Sequence, residues 1–158
     1  MSYNSKRTIT SMTAGCITVI AYIIYALSRH SPAPDDLKGW AVTMLVFIGI
    51  GVAAVILVQI VFHIVFAAAV AAKERGRDDK TVERIIASAV LEDERDKLIG
   101  LKSSHIAYVF AGLGFLAALI SLAFGGPVLA ALHIIFGATA VGSVVEGIAS
   151  VYFYEKGV

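Results

Sequence analysis

The amino-acid sequence predicts an all-α integral membrane protein: a bundle of four transmembrane helices with a cytoplasmic amphipathic linker helix. Three observations lead to this prediction. Apolar residues make up 58% of the 158 positions, whereas a soluble domain holds about 45–50% even with glycine included. Charged residues make up 16%, against about 25% in an average soluble domain. Most of those charges lie between positions 73 and 102, which leaves the rest of the chain almost free of charge.

This composition argues against three classes of protein: an ordinary soluble enzyme, a disordered chain and a nucleic-acid binder. The net charge is only +1, so no nucleic-acid partner is expected. The chain holds one cysteine, Cys16, inside an apolar stretch, so there is no disulfide framework and no CxxC motif. The sequence also lacks a P-loop, a nucleophile elbow and an HExxH zinc motif, and an enzymatic function is therefore not expected.

Four stretches are long and apolar enough to be membrane spans, which need about 20 mostly apolar residues. They are residues 8–28, 40–72, 103–124 and 127–154, and together they predict a single membrane domain over residues 1–158. Lys6 and Arg7 before the first stretch resemble the start of a signal peptide. The apolar stretch is longer than that of a usual signal peptide and no A-x-A cleavage site follows, so we predict a retained span.

The distribution of basic residues predicts the orientation. With both termini in the cytoplasm, 11 Lys and Arg residues lie inside and only Arg29 and Lys38 lie outside. Positively charged loops stay on the cytoplasmic side, so we expect an inner-membrane protein of this topology. Trp40 and Tyr154 are predicted to anchor spans at the interface, and Gly125-Gly126-Pro127 is predicted to form a tight turn before the fourth span.

Small or polar residues recur at helical spacing in three of the spans and predict close helix packing, because helices in a bilayer gain little from apolar contact alone. The first span carries Ser11, Gly15, Thr18, Tyr22 and Tyr25, the third carries Ser104, Ala107, Ala111, Gly114, Ala118 and Ser121, and the fourth carries Ala138, Gly142, Glu146 and Ser150. These faces could pack within one subunit or between subunits, and a homo-oligomer is expected.

The charged segment 73–102 predicts an amphipathic helix with one apolar face. That face consists of Val82, Ile85, Ile86, Ala89 and Val90, spaced as one helical stripe. With the charged residues Glu92, Asp93, Arg95 and Asp96 it forms a candidate surface for a cytoplasmic or membrane protein partner. The alternative is a connector helix that packs under its own bundle.

Four polar residues inside or beside the spans form a candidate site: Gln59, His63, His105 and Glu146. A carboxylate within a span is costly unless it is paired, hydrated or protonated. Counting along the predicted helices places all four toward the cytoplasmic side. They could form a proton or polar-solute site, hold a divalent metal, or be separate hydrogen-bonded side chains. Two facing histidines could also ligate haem, but no cofactor is predicted.

Residues 92–108 resemble the signature of a domain-of-unknown-function family of small prokaryotic multi-pass membrane proteins. In that family a D-E-R-D-x-x-I stretch leads into a transmembrane helix. The matching residues here are Glu92-Asp93-Glu94-Arg95-Asp96, Leu98-Ile99, Lys102-Ser103 and Ile106-Ala107-Tyr108. The resemblance implies an integral membrane protein without an assigned activity. Members of the family often occur beside helix-turn-helix regulators, which implies a sensory or regulatory role.

Three functions follow as hypotheses. The first is a non-enzymatic scaffold or regulatory partner that acts through the 73–102 helix. The second is a small oligomeric proton-coupled transporter or channel that uses Glu146. The third is a metal- or haem-binding membrane protein. A dry interior would favour the scaffold, whereas a crevice beside Glu146 would favour transport.

Overall fold

The computed structural model describes residues 3–73 and 94–156, and α-helices make up most of this part of the chain. The helices are α1 (Tyr3–Ala26), α2 (Leu37–Lys73), α3 (Glu94–Ala123) and α4 (Val128–Lys156). Each of them is long and apolar enough to cross a membrane, and the described residues contain no strand. The predicted all-α architecture with four candidate spans is therefore confirmed.

The helices extend beyond the apolar stretches that predicted them. α1 begins at Tyr3 rather than at residue 8, and α3 begins at Glu94 rather than at residue 103. The physical reason is that helical hydrogen bonding does not stop where apolarity stops. Polar residues such as Glu94 and Lys97 are good helix formers. The second helix is about 55 Å long at 1.5 Å per residue, which exceeds the hydrocarbon thickness of about 30 Å.

The separate linker helix predicted at 73–102 is not supported. Lys73 is the last residue of α2, and residues 94–102 form the first turns of α3. The charged residues after position 93 therefore continue into the third span as one helix. The predicted apolar stripe from Val82 to Val90, together with Glu92 and Asp93, lies outside the described residues.

The helices pack in the order α2, α1, α4, α3. α1 contacts both α2 and α4, and α3 packs chiefly on α4, while α2 and α4 meet over a much smaller area. Two ends of the assembly can be defined. The terminal end holds Tyr3, Lys73, Glu94 and Lys156, and the loop end holds the α1–α2 and α3–α4 connections.

The α3–α4 contact depends on small residues, as their spacing predicts. Gly114, Ala118 and Gly142 are buried, and a Cβ atom added at Gly142 would lie 3.1 Å from the Ala107 carbonyl oxygen. Most large apolar side chains point outward instead, and Leu101 is 73% exposed. This pattern is what a bilayer requires, because lipid is the solvent of the outer surface and small residues let helix backbones approach.

The predicted tight turn between α3 and α4 is present. Gly125 has a φ of +80°, and its N–H donates to the Leu122 carbonyl at 3.0 Å, while the Gly126 N–H donates to the Ser121 carbonyl at 2.8 Å. This pair of bonds is the Schellman ending of a helix, which glycine favours because it has no Cβ. Pro127 directly precedes α4, as predicted.

Trp40 lies at the loop end but is not a lipid-facing anchor. Its side chain is only 6% exposed, and its Nε1–H donates to the Ala33 carbonyl at 3.1 Å. Its ring packs edge-on against His133 of α4 at a centroid distance of 4.8 Å. The indole ring and its N–H therefore both have partners within the protein.

Candidate functional site

The first turns of α1 are hydrogen-bonded to each of the other helices at the terminal end. The Tyr3 hydroxyl lies 2.7 Å from His63 Nδ1 of α2, Asn4 Nδ2 donates to Asp96 Oδ1 of α3 at 2.8 Å, and Ser5 Oγ donates to Glu155 Oε1 of α4 at 2.8 Å. Ser5 is fully buried. The amino-terminal segment therefore ties the terminal end together with polar contacts, whereas the α3–α4 seam relies on close packing.

A closed ring of three hydrogen bonds joins α1 to α2 one turn further in. Arg7 Nε donates to Gln59 Oε1 at 2.9 Å, Gln59 Nε2 donates to Ser11 Oγ, and Ser11 Oγ donates to the Arg7 carbonyl at 3.2 Å. Both ends of the Gln59 amide are thereby used. The ring explains how a polar amide is accommodated in a long apolar helix, where an unpaired group would be costly.

A groove runs along α1 between α2 and α4, where those two helices meet little. We call it the central groove; its volume is about 720 Å³, and its lining includes Ser11, Gly15, Cys16, Gln59 and Glu146. The described residues leave it open at the side rather than enclosed. Toward the loop end its wall is apolar and aromatic, with Phe47 and Phe136. The groove is therefore polar at the terminal end and apolar further along.

The hydroxyl groups that line the apolar part of the central groove are hydrogen-bonded to their own helices. Thr18 Oγ1 donates to the Ala14 carbonyl at 3.0 Å, Thr139 Oγ1 donates to the Phe136 carbonyl at 2.8 Å, and Ser143 Oγ donates to the Thr139 carbonyl at 3.1 Å. Such bonding satisfies a hydroxyl without help from water. Each oxygen keeps lone pairs that a ligand donor can use.

Glu146 lies on α4, lines the central groove and has a partner on α3. Its Oε1 atom accepts a hydrogen bond from Ser104 Oγ at 2.7 Å. The neighbouring Ser103 also lines the groove, and its buried hydroxyl has no hydrogen-bond partner within the described part of the chain. The carboxylate and the unpartnered hydroxyl are thus placed at one end of the same groove.

The four residues predicted to form one site are divided among three places. Gln59 and Glu146 both line the central groove, and His63 instead contacts Tyr3 at the start of α1. His105 is exposed on α3, in a separate shallow recess. Residues 3–73 and 94–156 contain no group of three His, Cys, Asp or Glu side chains that could hold a metal ion. The geometry gives the metal and haem hypotheses no support.

Two residues of the predicted partner surface lie within the described chain and make contacts inside the protein. Asp96 accepts a hydrogen bond from Asn4, and Arg95 Nη2 donates to the Tyr154 carbonyl at 3.5 Å. These contacts fix the start of α3 against α1 and α4. The charged start of α3 is therefore held in place by contacts within the protein.

Lys6 and Arg7 predict the orientation and resemble the start of a signal peptide, but nothing in the sequence predicted that Arg7 supports Gln59 in the central groove. The small and polar stripe of the first span was predicted to face another helix. Its residues Ser11, Gly15 and Thr18 line the groove together with Asn4 and Arg7. Which residues of α2 and α4 lie opposite could not be read from α1.

Comparisons with protein-family models, curated proteins and solved structures give no match for this chain.

Proposed function

We propose that this protein binds a small amphipathic molecule in the central groove and carries it across the membrane, with Glu146 as the carboxylate that exchanges a proton. The observation that supports this proposal best is the graded groove itself. It has a volume of about 720 Å³, within the usual range for ligand pockets. It combines an apolar wall with a few polar groups at one end.

The groove's polarity determines how a ligand would lie. An apolar body would pack against Phe47 and Phe136, and a polar group would reach the end near Gln59 and Glu146. The unpartnered hydroxyl of Ser103 would gain a hydrogen bond there. Because buried polar groups are normally hydrogen-bonded, this hydroxyl is a natural contact for the ligand or for the water that accompanies a proton.

Glu146 is suited to proton exchange because its ionised and neutral forms are stabilised in different ways. When ionised, the carboxylate accepts the Ser104 hydrogen bond and would attract a polar or cationic ligand group. When protonated, it loses its charge and with it the main cost of residing in a bilayer. Alternation between a proton and a ligand at this one carboxylate would couple their movements.

The test uses proteoliposomes loaded with a pH-sensitive dye and two probes, the cation ethidium and the anion 8-anilinonaphthalene-1-sulfonate. We expect a gradient of one of these two probes to drive proton movement through the wild-type protein. We expect Glu146→Gln to abolish this proton movement. Gly15→Leu should also abolish it by filling the groove. Proton movement that is unchanged in Glu146→Gln would contradict the proposal.

A matched control separates groove filling from damage to the fold. A Cβ added at Gly15 or at Gly49 meets no atom within 4 Å, so leucine should be accommodated at either position. Of these two glycines, only Gly15 lines the central groove. Gly49→Leu should therefore transport like the wild type. Equal loss in both variants would mean that the effect does not arise in the groove.

A scaffold function through the 73–102 segment is a second proposal. It is supported by the apolar stripe in the sequence of this segment and by the resemblance of residues 92–108 to a domain-of-unknown-function family of small prokaryotic multi-pass membrane proteins. It predicts that the double variant Ile85→Glu and Ile86→Glu inserts normally but loses capture of its partner. Normal capture by that variant would contradict this proposal. A homo-oligomer, a cell-membrane location and cytoplasmic termini also remain proposals.

A further inference from the structure

The outward face of α3 holds a second recess, whose lining shares only Gly100 with the central groove. Its lining includes Lys97, Leu101, Ser104, His105 and Tyr108, which share one helical face by their spacing. The recess is shallow and measures about 600 Å³. The opposite face of α3, with the buried Ile99, Ser103 and Gly114, packs on the protein, so the recess faces the surroundings of the helix.

The polar end of this α3 recess is basic. Lys97 and His105 are exposed, and within residues 3–73 and 94–156 neither has a hydrogen bond or ion pair. Lys102 is exposed on the same stretch of helix. Among the nearby acids, Asp96 is bonded to Asn4 and Glu146 to Ser104, which leaves the exposed Glu94 at the helix start. Among the residues that the structure describes, this surface therefore offers more unpaired donors than acceptors.

The apolar end continues the same face along the helix. Tyr108 is 73% exposed and Phe115 is 57% exposed. Gly112 lies between them, and a Cβ added there would meet nothing within 4 Å. The missing side chain leaves a notch between two exposed aromatic rings. A basic, hydrogen-bonding head region, about 16 Å long from Lys97 to Tyr108 at 1.5 Å per residue, is thus followed by an apolar path from Tyr108 to Phe115.

We propose that the α3 recess binds one anionic phospholipid, with the phosphate against Lys97 and His105 and an acyl chain along Tyr108, Gly112 and Phe115. Charge selects the headgroup, because basic side chains near a membrane surface attract anionic lipid. The apolar continuation selects a lipid over a free phosphate. Ser104 lines this recess and also donates to Glu146, so one hydroxyl borders both the lipid site and the central groove.

The test uses full-length protein in phosphatidylcholine vesicles that contain a phosphatidylglycerol with a photoactivatable diazirine in its acyl chain. After illumination, mass spectrometry should locate the label between Leu101 and Leu119. Labelling there should fall at least about fivefold in the double variant Lys97→Gln and His105→Gln, in line with the contribution of one basic residue at a membrane surface. Lys97→Arg should preserve labelling.

Two controls make the result decisive. Lys73→Gln removes an exposed charge at the same end of the assembly but outside the recess, and it should label like the wild type. Gly112→Leu should move the label away from the notch without disturbing the fold. Equal labelling by a diazirine phosphatidylcholine, unchanged labelling in the double variant, or competition by millimolar inorganic phosphate would each overturn the proposal.

Discussion

Gln59 shows at the residue scale how a polar side chain is accommodated in a long apolar helix. Its amide oxygen accepts from Arg7 and its amide nitrogen donates to Ser11, so one residue of α2 is bonded to two turns of α1. Hydrogen bonds between membrane helices contribute about 0.6 kcal/mol on average and up to about 1.7 kcal/mol. The contacts of Gln59 are therefore local supports of the α1–α2 pair.

Replacement of Gln59 by leucine should destabilise the protein by about 1–2 kcal/mol, because both hydrogen bonds are lost. Thermal unfolding in detergent micelles measures the effect. Thr13→Ala is the matched control, since the Thr13 hydroxyl bonds only to the Ile9 carbonyl of its own helix and is exposed; it should change stability by less than about 0.5 kcal/mol. Wild-type stability in Gln59→Leu would show that the ring contributes nothing.

At the scale of the element, α3 presents a different chemistry on each side. Its inner side is built from small residues that contact α4, and its outer side carries the basic and aromatic residues of the α3 recess. Two glycines of α3 lie two positions apart and illustrate the difference. A Cβ added at Gly114 would collide with the Cβ of Ala138, whereas one added at Gly112 meets open space.

Gly114→Leu should therefore destabilise the α3–α4 pair by about 1–3 kcal/mol, the usual cost of overpacking a close contact. Gly112→Leu on the same helix should be nearly neutral for stability. Unfolding of both variants in the same detergent compares them directly. Equal destabilisation would mean that helix propensity, rather than contact with Ala138, sets the cost.

The helix order α2, α1, α4, α3 describes the whole molecule and explains why the central groove exists. α1 separates α2 from most of α4, and the space over α1 becomes the groove. The α1–α4 contact is close: a Cβ atom built on Gly147 would lie 3.2 Å from the Cβ of Met12. This separation is near the 3.5–4.5 Å that a disulfide bond needs.

The pair Met12→Cys and Gly147→Cys should form a disulfide upon mild oxidation, in a Cys16→Ala background that removes the native thiol. A control pair, Val61→Cys and Tyr108→Cys, places the thiols on exposed faces of α2 and α3 and should not cross-link within one chain. Mobility on denaturing gels with and without reductant detects the bond. Cross-linking of the control pair instead would contradict the helix order.

The proposed topology adds a second prediction for the whole molecule. Single cysteines at Lys6 and Lys156, in the same Cys16→Ala background, should react with a membrane-impermeant maleimide from the same side of sealed vesicles. A cysteine at Arg29 should react only from the other side. Reaction of Lys6→Cys and Lys156→Cys from opposite sides would exclude four crossings.

The all-α class and the candidate spans can be predicted from the amino-acid sequence alone, because the cost of burying charge in lipid acts on each stretch independently of its neighbours. Apolarity located the spans, and small-residue spacing predicted close packing at Gly114 and Gly142 without indicating which helices meet there. The apolar stretches predicted the helix starts less accurately, because α1 and α3 begin in polar residues that precede those stretches. Helical hydrogen bonding there is supported by contacts such as Asn4 to Asp96.

Which polar residues come into contact depends on how the helices pack, and the sequence did not predict these contacts. Gln59, His63, His105 and Glu146 share a predicted depth, but the rotation of each helix about its axis separates His63 and His105 from the central groove. Depth follows from position along one chain, whereas facing depends on packing between helices. Arg7 and Ser104 became the partners of Gln59 and Glu146 for that reason, and no spacing within a single span could have identified them.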